Sequence, residues 1–412
     1  MEDRQASLRL IVFKVRLAET GHPICHKRAF TWRDGVDGDQ HRFDRFDSNF
    51  FYCNMQGPAD SDAAGVCREE HPKLRRHLKS LNKPALKSIK TVYGDVFDCV
   101  DIYKQPAFDH PLLKDHKIQM WPTSFPKRLE SMRNTSSEME VKVELPDRGC
   151  PQGTVPIRRI RMRDLLSVDL SKLNKAGVRA SRSGHHWVSI DTKEGGEYYG
   201  ARAQMNVWKP WVGEDEFSLG QFWIVGGNPG NYNTVEAGWA NDDYSNTGCY
   251  NTLCPGFVQV SRDIAPGTAA RVSTYNGQQW HLTLQAFKDV RTKNWWVVFG
   301  NVNNEKPLGY FPKSLFKSLA DRATSVRWGG EVFSPPNVRQ PQMGSGRFPN
   351  GGYGKAAFMK MIMTVDDQNT LRDAPSDTHT VIDEPNCYTT DNANQFGNDD
   401  WRRYFYFGGP GC

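Results

Sequence analysis

Two short segments carry isolated glutamates in a setting suited to acid–base chemistry. In TVEAGW (234–239) side chains alternate along an extended strand, so Val235, Ala237 and Trp239 share one face, and Thr234, Glu236 and Gly238 the other. VRWGGEVF (326–333) has the same arrangement, with Val326, Trp328 and Val332 on one side and Arg327, Gly329 and Glu331 on the other. Each strand offers one carboxylate, turned from the apolar side, beside a glycine that leaves room for a ligand or a second backbone. Two carboxylates brought close repel each other, and their pKa values separate. One can then stay ionised and take a proton from water, while the other gives a proton to a leaving group. The plain alternative is that both are solvated strand residues, since alternation always leaves polar side chains outside. Chain spacing says nothing about whether the two meet. Arg327 shares the Glu331 face; pointed at that carboxylate it would favour the ionised form and leave Glu236 as the acid.

Other chemistries find less support. No HExxH or CxxC occurs, so no metal and no cofactor are expected. His185 and His186 are adjacent on a strand and point to opposite faces, which argues against a shared metal and for structural roles. Serine and cysteine nucleophiles lack a recognisable elbow or base. Most of the 12 tryptophans are expected in the core, but Trp208 and Trp211 flank Pro210 at a strand end and are candidates for lining a groove where a substrate proline stacks. The net charge of +6 is spread along the chain, unlike the concentrated basic patch that nucleic acid requires. No stretch is long and apolar enough to span a membrane, so neither kind of partner is expected.

The elements that would position these residues follow from the same pattern. With 412 residues the chain exceeds one ordinary core and implies two domains with linkers. From about residue 180, runs such as HWVSI, ARAQMNVW, LGQFWIV, QWHLTLQAF, NWWVVFG and AAFMKMIM read as strands between Gly, Asn, Asp and Pro. Many closely spaced strands without intervening helices predict a mainly β protein, an antiparallel, jelly-roll-like β-sandwich. Upstream, Leu74, Leu78 and Leu81 fall on one helical face that Pro84 ends, and VFDCVDIY follows as a strand, predicting a small α+β unit. Residues 1–70 lack periodicity and read as an irregular extension. Five prolines between 122 and 156 (Pro122, Pro126, Pro146, Pro151, Pro156) mark a linker.

Nine cysteines are present. Cys249–Cys254, Cys387–Cys412 and Cys99–Cys150 are expected as disulfides, which implies an oxidising compartment. The sequon at Asn134 points the same way. The apolar run Leu8–Leu17 is interrupted by Arg9, Lys14 and Arg16 and does not read as a secretory leader, so the extracellular or vacuolar expectation rests on the cysteines.

A family resemblance adds to this reading. Residues 71–120, with HLKSLNKPALKSIKTVYGDVFDCVDIYKQPAFDHPLLKDHKIQM, resemble the activation-peptide domain that precedes plant neprosin domains, and GCPQGTVPIRR (149–159) resembles the motif near its linker. QFWIVGG, NTVEAGW, GCYNTLCPGFVQV, WGGEVF, QMGSGRFP and FYFGGPGC resemble the neprosin domain, in the right order. The expected organisation is a 1–70 extension, a 71–121 pro-domain, a 122–180 linker and a 181–412 β-sandwich domain. The resemblance implies a secreted, acid-active endopeptidase that cuts after proline and uses Glu236 and Glu331. It also implies a proenzyme whose partners are a peptide or protein substrate and its own pro-domain as inhibitor, and the linker prolines offer self-cleavage sites. A two-carboxylate glycoside hydrolase and a non-catalytic cell-wall- or matrix-binding sandwich are the alternatives.

Overall fold

The computed structural model describes residues 9–16, 75–76, 78–129, 132, 140–162, 184–213, 216–228, 232–241, 251, 255–269, 271–301, 303–391 and 395–412. Asn134, Cys249 and Cys254 lie outside these residues. The architecture is mainly β, as the alternating runs predict.

Strands are numbered in chain order. A six-stranded sheet runs β1 (Arg9–Arg16), β8 (Asn233–Asn241), β7 (Phe217–Gly226), β13 (Ser325–Phe333), β5 (His185–Asp191), β16 (His379–Ile382). A ten-stranded sheet runs β17 (Thr389–Thr390), β19 (Arg403–Gly408), β14 (Ala357–Val365), β6 (Gly200–Asn206), β10 (His281–Lys288), β11 (Trp295–Phe299), β12 (Lys306–Phe311), β9 (Val258–Gln259). Its remaining strands, β15 (Leu371–Asp373) and β18 (Gln395–Phe396), pair with β14 and β19. The pairings are antiparallel throughout both sheets.

The two sheets bury one principal core between them. Val235, Ala237 and Trp239 of β8 and Val326, Trp328 and Val332 of β13 enter it, against Ala201, Ala203 and Met205 of β6 and Leu282, Leu284 and Ala286 of β10. Two indoles cross between the sheets: Trp239 Nε1 donates to the Asn206 carbonyl at 3.1 Å and Trp328 Nε1 to the Arg202 carbonyl at 3.2 Å. Each glutamate-bearing strand is therefore fixed to β6 by a tryptophan three residues from its glutamate. A buried indole N–H left without an acceptor would cost about 1–3 kcal/mol, so these bonds set strand position as well as packing.

A separate three-stranded sheet, β2 (Ala85–Lys90), β3 (Val96–Asp101) and β4 (Thr154–Arg158), follows helical backbone at 75–76 and 78–81. The Cys99–Cys150 disulfide packs with Ile89, Phe97, Leu145 and Ala265 in a small core of its own. Cys387–Cys412 ties the C-terminus beside β17. Two segments depart from the composition-based reading. Arg9–Arg16, inside the irregular extension, is an edge strand on β8, and Thr154–Arg158, inside the proline-rich linker, completes the small sheet. As an edge strand, β4 accommodates Pro156, which has no N–H to give to a ladder.

Candidate active site

Both glutamates project from the face of the six-stranded sheet that is turned away from the core. Across β8, β7, β13 and β5 this face forms rows: Glu236, Trp223, Arg327 and Asp191; then Gly238, Gln221, Gly329 and Ser189; then Ala240, Leu219, Glu331 and Trp187. Gln221 is thus the diagonal neighbour of both glutamates. Two diagonal steps of about 7–8 Å each separate the two positions across the sheet.

The glycine row explains how the strands approach so closely. A Cβ at Gly238 would lie 2.1 Å from the Gly220 carbonyl oxygen, and one at Gly329 2.0 Å from that of Val188. The glycines beside the glutamates are therefore required by neighbouring backbone, in addition to leaving the floor between the carboxylates low.

Despite facing away from the core, Glu236 is only 4% exposed and Glu331 only 6%. Solvated strand residues would be open to water; these are held by partners instead. Gln221 Nε2 donates to Glu236 Oε2 at 2.9 Å, and the Thr234 hydroxyl lies 2.7 Å from Glu236 Oε1. Glu331 Oε1 lies 2.8 Å from His185 Nδ1. The His185 ring stacks on Trp187 at 5.6 Å and meets Phe333 at 4.8 Å, so its orientation is fixed by packing. Phe217, Leu219, Trp223, Val225 and Ala240 form an apolar cluster around the pair.

Arg327 is engaged elsewhere: its Nε lies 3.3 Å from Asp191 Oδ2. Burial pushes the Asp191 carboxyl up, against the pull of Arg327 and of the Ser189 hydroxyl, which donates to it at 2.6 Å. Arg327 thus serves Asp191 and is not directed at Glu331.

Residues 88–201 match the family model of the neprosin activation peptide, and residues 214–410 match that of neprosin. The chain belongs to the neprosin family. Its order, activation peptide followed by neprosin domain, is that of a proenzyme of a peptidase family. The activation-peptide match runs through β4 and β5 to the start of β6, so the strand carrying His185 and Asp191 falls within it while sitting inside the sandwich.

The remaining candidates are distributed as follows. Trp208 is 6% exposed and belongs to the principal core, whereas Trp211 is 59% exposed, with its backbone N–H donating to Gln342 Oε1. Trp208 therefore cannot line an open groove, because the core has already taken its ring. His186 faces away from His185: its Nε2 is 2.9 Å from Gln340 Nε2, and its ring lies 6.4 Å from Tyr388. Among the described residues no group of three or more His, Cys, Asp or Glu is placed to hold a metal ion. Sequence reasoning missed Gln221, Thr234, Trp187 and the tie between His185 and Glu331. Thr234 was legible as the same-face neighbour of Glu236; the other three depend on which strands are adjacent.

Proposed function

We propose that the chain is a glutamic-type endopeptidase made as a proenzyme, with Glu331 as general base and Glu236 as general acid. The observation that carries this reading is the pair of buried, hydrogen-bonded carboxylates on either side of Gln221. His185 Nδ1 lies 2.8 Å from Glu331 Oε1; with its N–H donated there, that oxygen is kept as an acceptor suited to take the proton of an attacking water. The Thr234 hydroxyl can donate or accept. Glu236 can accordingly hold a proton on Oε1 while Oε2 keeps its bond from Gln221. Water attacks the scissile carbonyl carbon, its proton passes to Glu331, the C–N bond breaks, and Glu236 protonates the departing nitrogen.

The finer expectations, acid optimum, cleavage after proline and a secreted or vacuolar site of action, belong to the same proposal. Two disulfides support the oxidising compartment. For self-activation, Pro146 and Pro151 are exposed, whereas Pro156 is buried in β4 opposite Cys99. A cut after Pro146 leaves the fragment tethered through Cys99–Cys150; a cut after Pro151 frees it. Pro151 is therefore the favoured site.

The test is to hold the full-length protein at about pH 3 and at pH 7, sequence new N-termini, and offer the acid-treated protein a proline-containing peptide and a β-glucan. Peptide cleavage is expected, with Glu236→Gln and Glu331→Gln each lowering it by about a thousandfold or more while the fold is retained. Full activity in either folded variant would remove that residue from the mechanism. Glucan hydrolysis without peptide cleavage would favour a glycosidase.

A further inference from the structure

The outer face of the ten-stranded sheet, opposite the carboxylate pair, carries a row of polar residues that the catalytic reading does not use. On β6 and β10, Arg202 pairs in register with Gln285, Gln204 with Thr283, and Asn206 with His281. Arg202, Gln204, Thr283, Gln285 and His281 are all at most 4% exposed. Arg202 Nε and NH2, Gln204 Nε2, Gln285 Nε2 and His281 Nε2 have no hydrogen-bond partner. The opposite faces of the same strands are purely apolar, with Ala201, Ala203, Leu282, Leu284 and Ala286. The sandwich therefore does not need polarity from β6 and β10 to pack, and burying a guanidinium with two unpaired nitrogens is costly.

A segment of the activation peptide covers this row. The Val141 N–H donates to the His281 carbonyl at 3.0 Å, and Glu140 forms a parallel bridge with His281. Val141 and Val143 are buried, and the Glu140 carboxyl, pushed up by burial, is pulled back by the Thr283 hydroxyl and by the more distant Arg202 charge. Farther along, Glu305 lies 3.8 Å from Arg202 NH1. The row is rich in donors and poor in acceptors, and its present cover brings one carboxylate on an extended, alternating segment, EVKV.

We propose that these donors form a second binding site, which in the trimmed protein takes an extended acidic peptide with its carboxylate at Thr283, within the field of Arg202. Glutamine amides on either side suit the backbone of such a chain, since each offers both a donor and an acceptor. Lys360, opposite Gln204 on β14, adds positive charge. Glu140 with its flanking valines is the built-in template: an acidic residue followed by apolar residues at alternate positions. The site would hold a protein substrate or partner at a distance from the carboxylates that cut it. This inference rests on departure of the activation segment, which the proposed function requires.

The probe is a labelled peptide of residues 138–145, which contains no proline, titrated into trimmed protein and into intact full-length protein by fluorescence anisotropy. Trimmed protein comes from acid treatment, or from a chain with an unrelated protease's recognition sequence inserted between 163 and 183, followed by gel filtration in acid. The second route supplies it whether or not the chain cuts itself. Expected are saturable binding to trimmed protein alone and at least tenfold weaker binding of the same peptide with Gln at the Glu140 position. That ligand-side change avoids any folding defect; Arg202→Gln in the protein should give the same loss where it folds. No binding, or equal binding of the Glu and Gln peptides, overturns the site. Binding without peptidase activity would sink the proposed function and leave the site standing.

Discussion

Removing the Cys99–Cys150 disulfide should release the small sheet without unfolding the sandwich. The bond closes a sequence separation of 51 residues. In the chain-entropy account a loop of that length removes about 4 kcal/mol of freedom from the opened state. Both cysteines are buried with Ile89, Phe97, Leu145 and Ala265, a cluster too small to replace that constraint by packing alone. The double variant Cys99→Ala, Cys150→Ala leaves Cys387–Cys412 intact. Amide exchange in β2, β3 and β4 should then speed up by about a thousandfold, since roughly 1.4 kcal/mol is a factor of ten. Amides of β6 and β10 should exchange at their original rate. The measurement is hydrogen exchange followed by mass spectrometry at pH 7. Acceleration below about fivefold in β3, or equal acceleration in β3 and β10, would refute the reasoning: the first because the loop constraint is unimportant, the second because the small sheet and the sandwich open as one unit.

Gly329→Ala should cost roughly 1–3 kcal/mol in urea unfolding, because its Cβ would press on the Val188 carbonyl; an unchanged midpoint would show that the strands can part freely. His185→Phe keeps an aromatic ring on Trp187 but loses the bond to Glu331, so kcat should fall at constant KM and the pH profile should shift. A lower rate with an unaltered profile would make His185 only structural. His281 is held at about 3 by burial, with Lys360 and Arg202 adding to the effect. Because that lies below the ordinary value of 6.5, closure over His281 is strongest above pH 6.5 and should lose on the order of 3 kcal/mol by pH 4. Burial raises the Glu140 carboxyl and so opposes this trend. His281→Gln should remove the loss, measured as exchange at Val141 between pH 7 and 4; an equal loss in the variant would assign acid sensitivity to other groups.

Much of the sandwich was legible because strand periodicity is local. Val235, Ala237 and Trp239 could be assigned to the core, and Glu236 to the other face, without knowing any neighbour. What alternation could not supply was strand order. Gln221 meets Glu236 only because β7 lies between β8 and β13, and His185 meets Glu331 only because β5 lies beyond β13. The same limit hid the burial of the glutamates, which neighbouring strands create. Local composition misled at Thr154–Arg158, where a proline-containing segment pairs with β3 because an edge position tolerates a missing N–H. Trp208 misled for another reason: nothing about a tryptophan beside Lys-Pro reveals that the core has room for its ring.

The described residues between 105 and 141 of the activation-peptide match and the two glutamates lie on opposite sides of the two-sheet sandwich. Among the described residues the segment's contacts fall on the ten-stranded sheet and its loops: Gln105 on Gln259, His116 on Tyr310, Thr123 on Asp289, Arg128 on Glu305, Val141 on His281. The glutamates stand on the far face of the other sheet. Strand β6 touches both systems. The Arg202 side chain lies 3.8 Å from Glu305 and feels the Glu140 charge, and its carbonyl accepts the indole of Trp328, three residues from Glu331. The Asn206 carbonyl accepts the indole of Trp239, three residues from Glu236. The two glutamate-bearing strands are thus anchored through these indoles to one strand, β6, whose outer face carries Arg202.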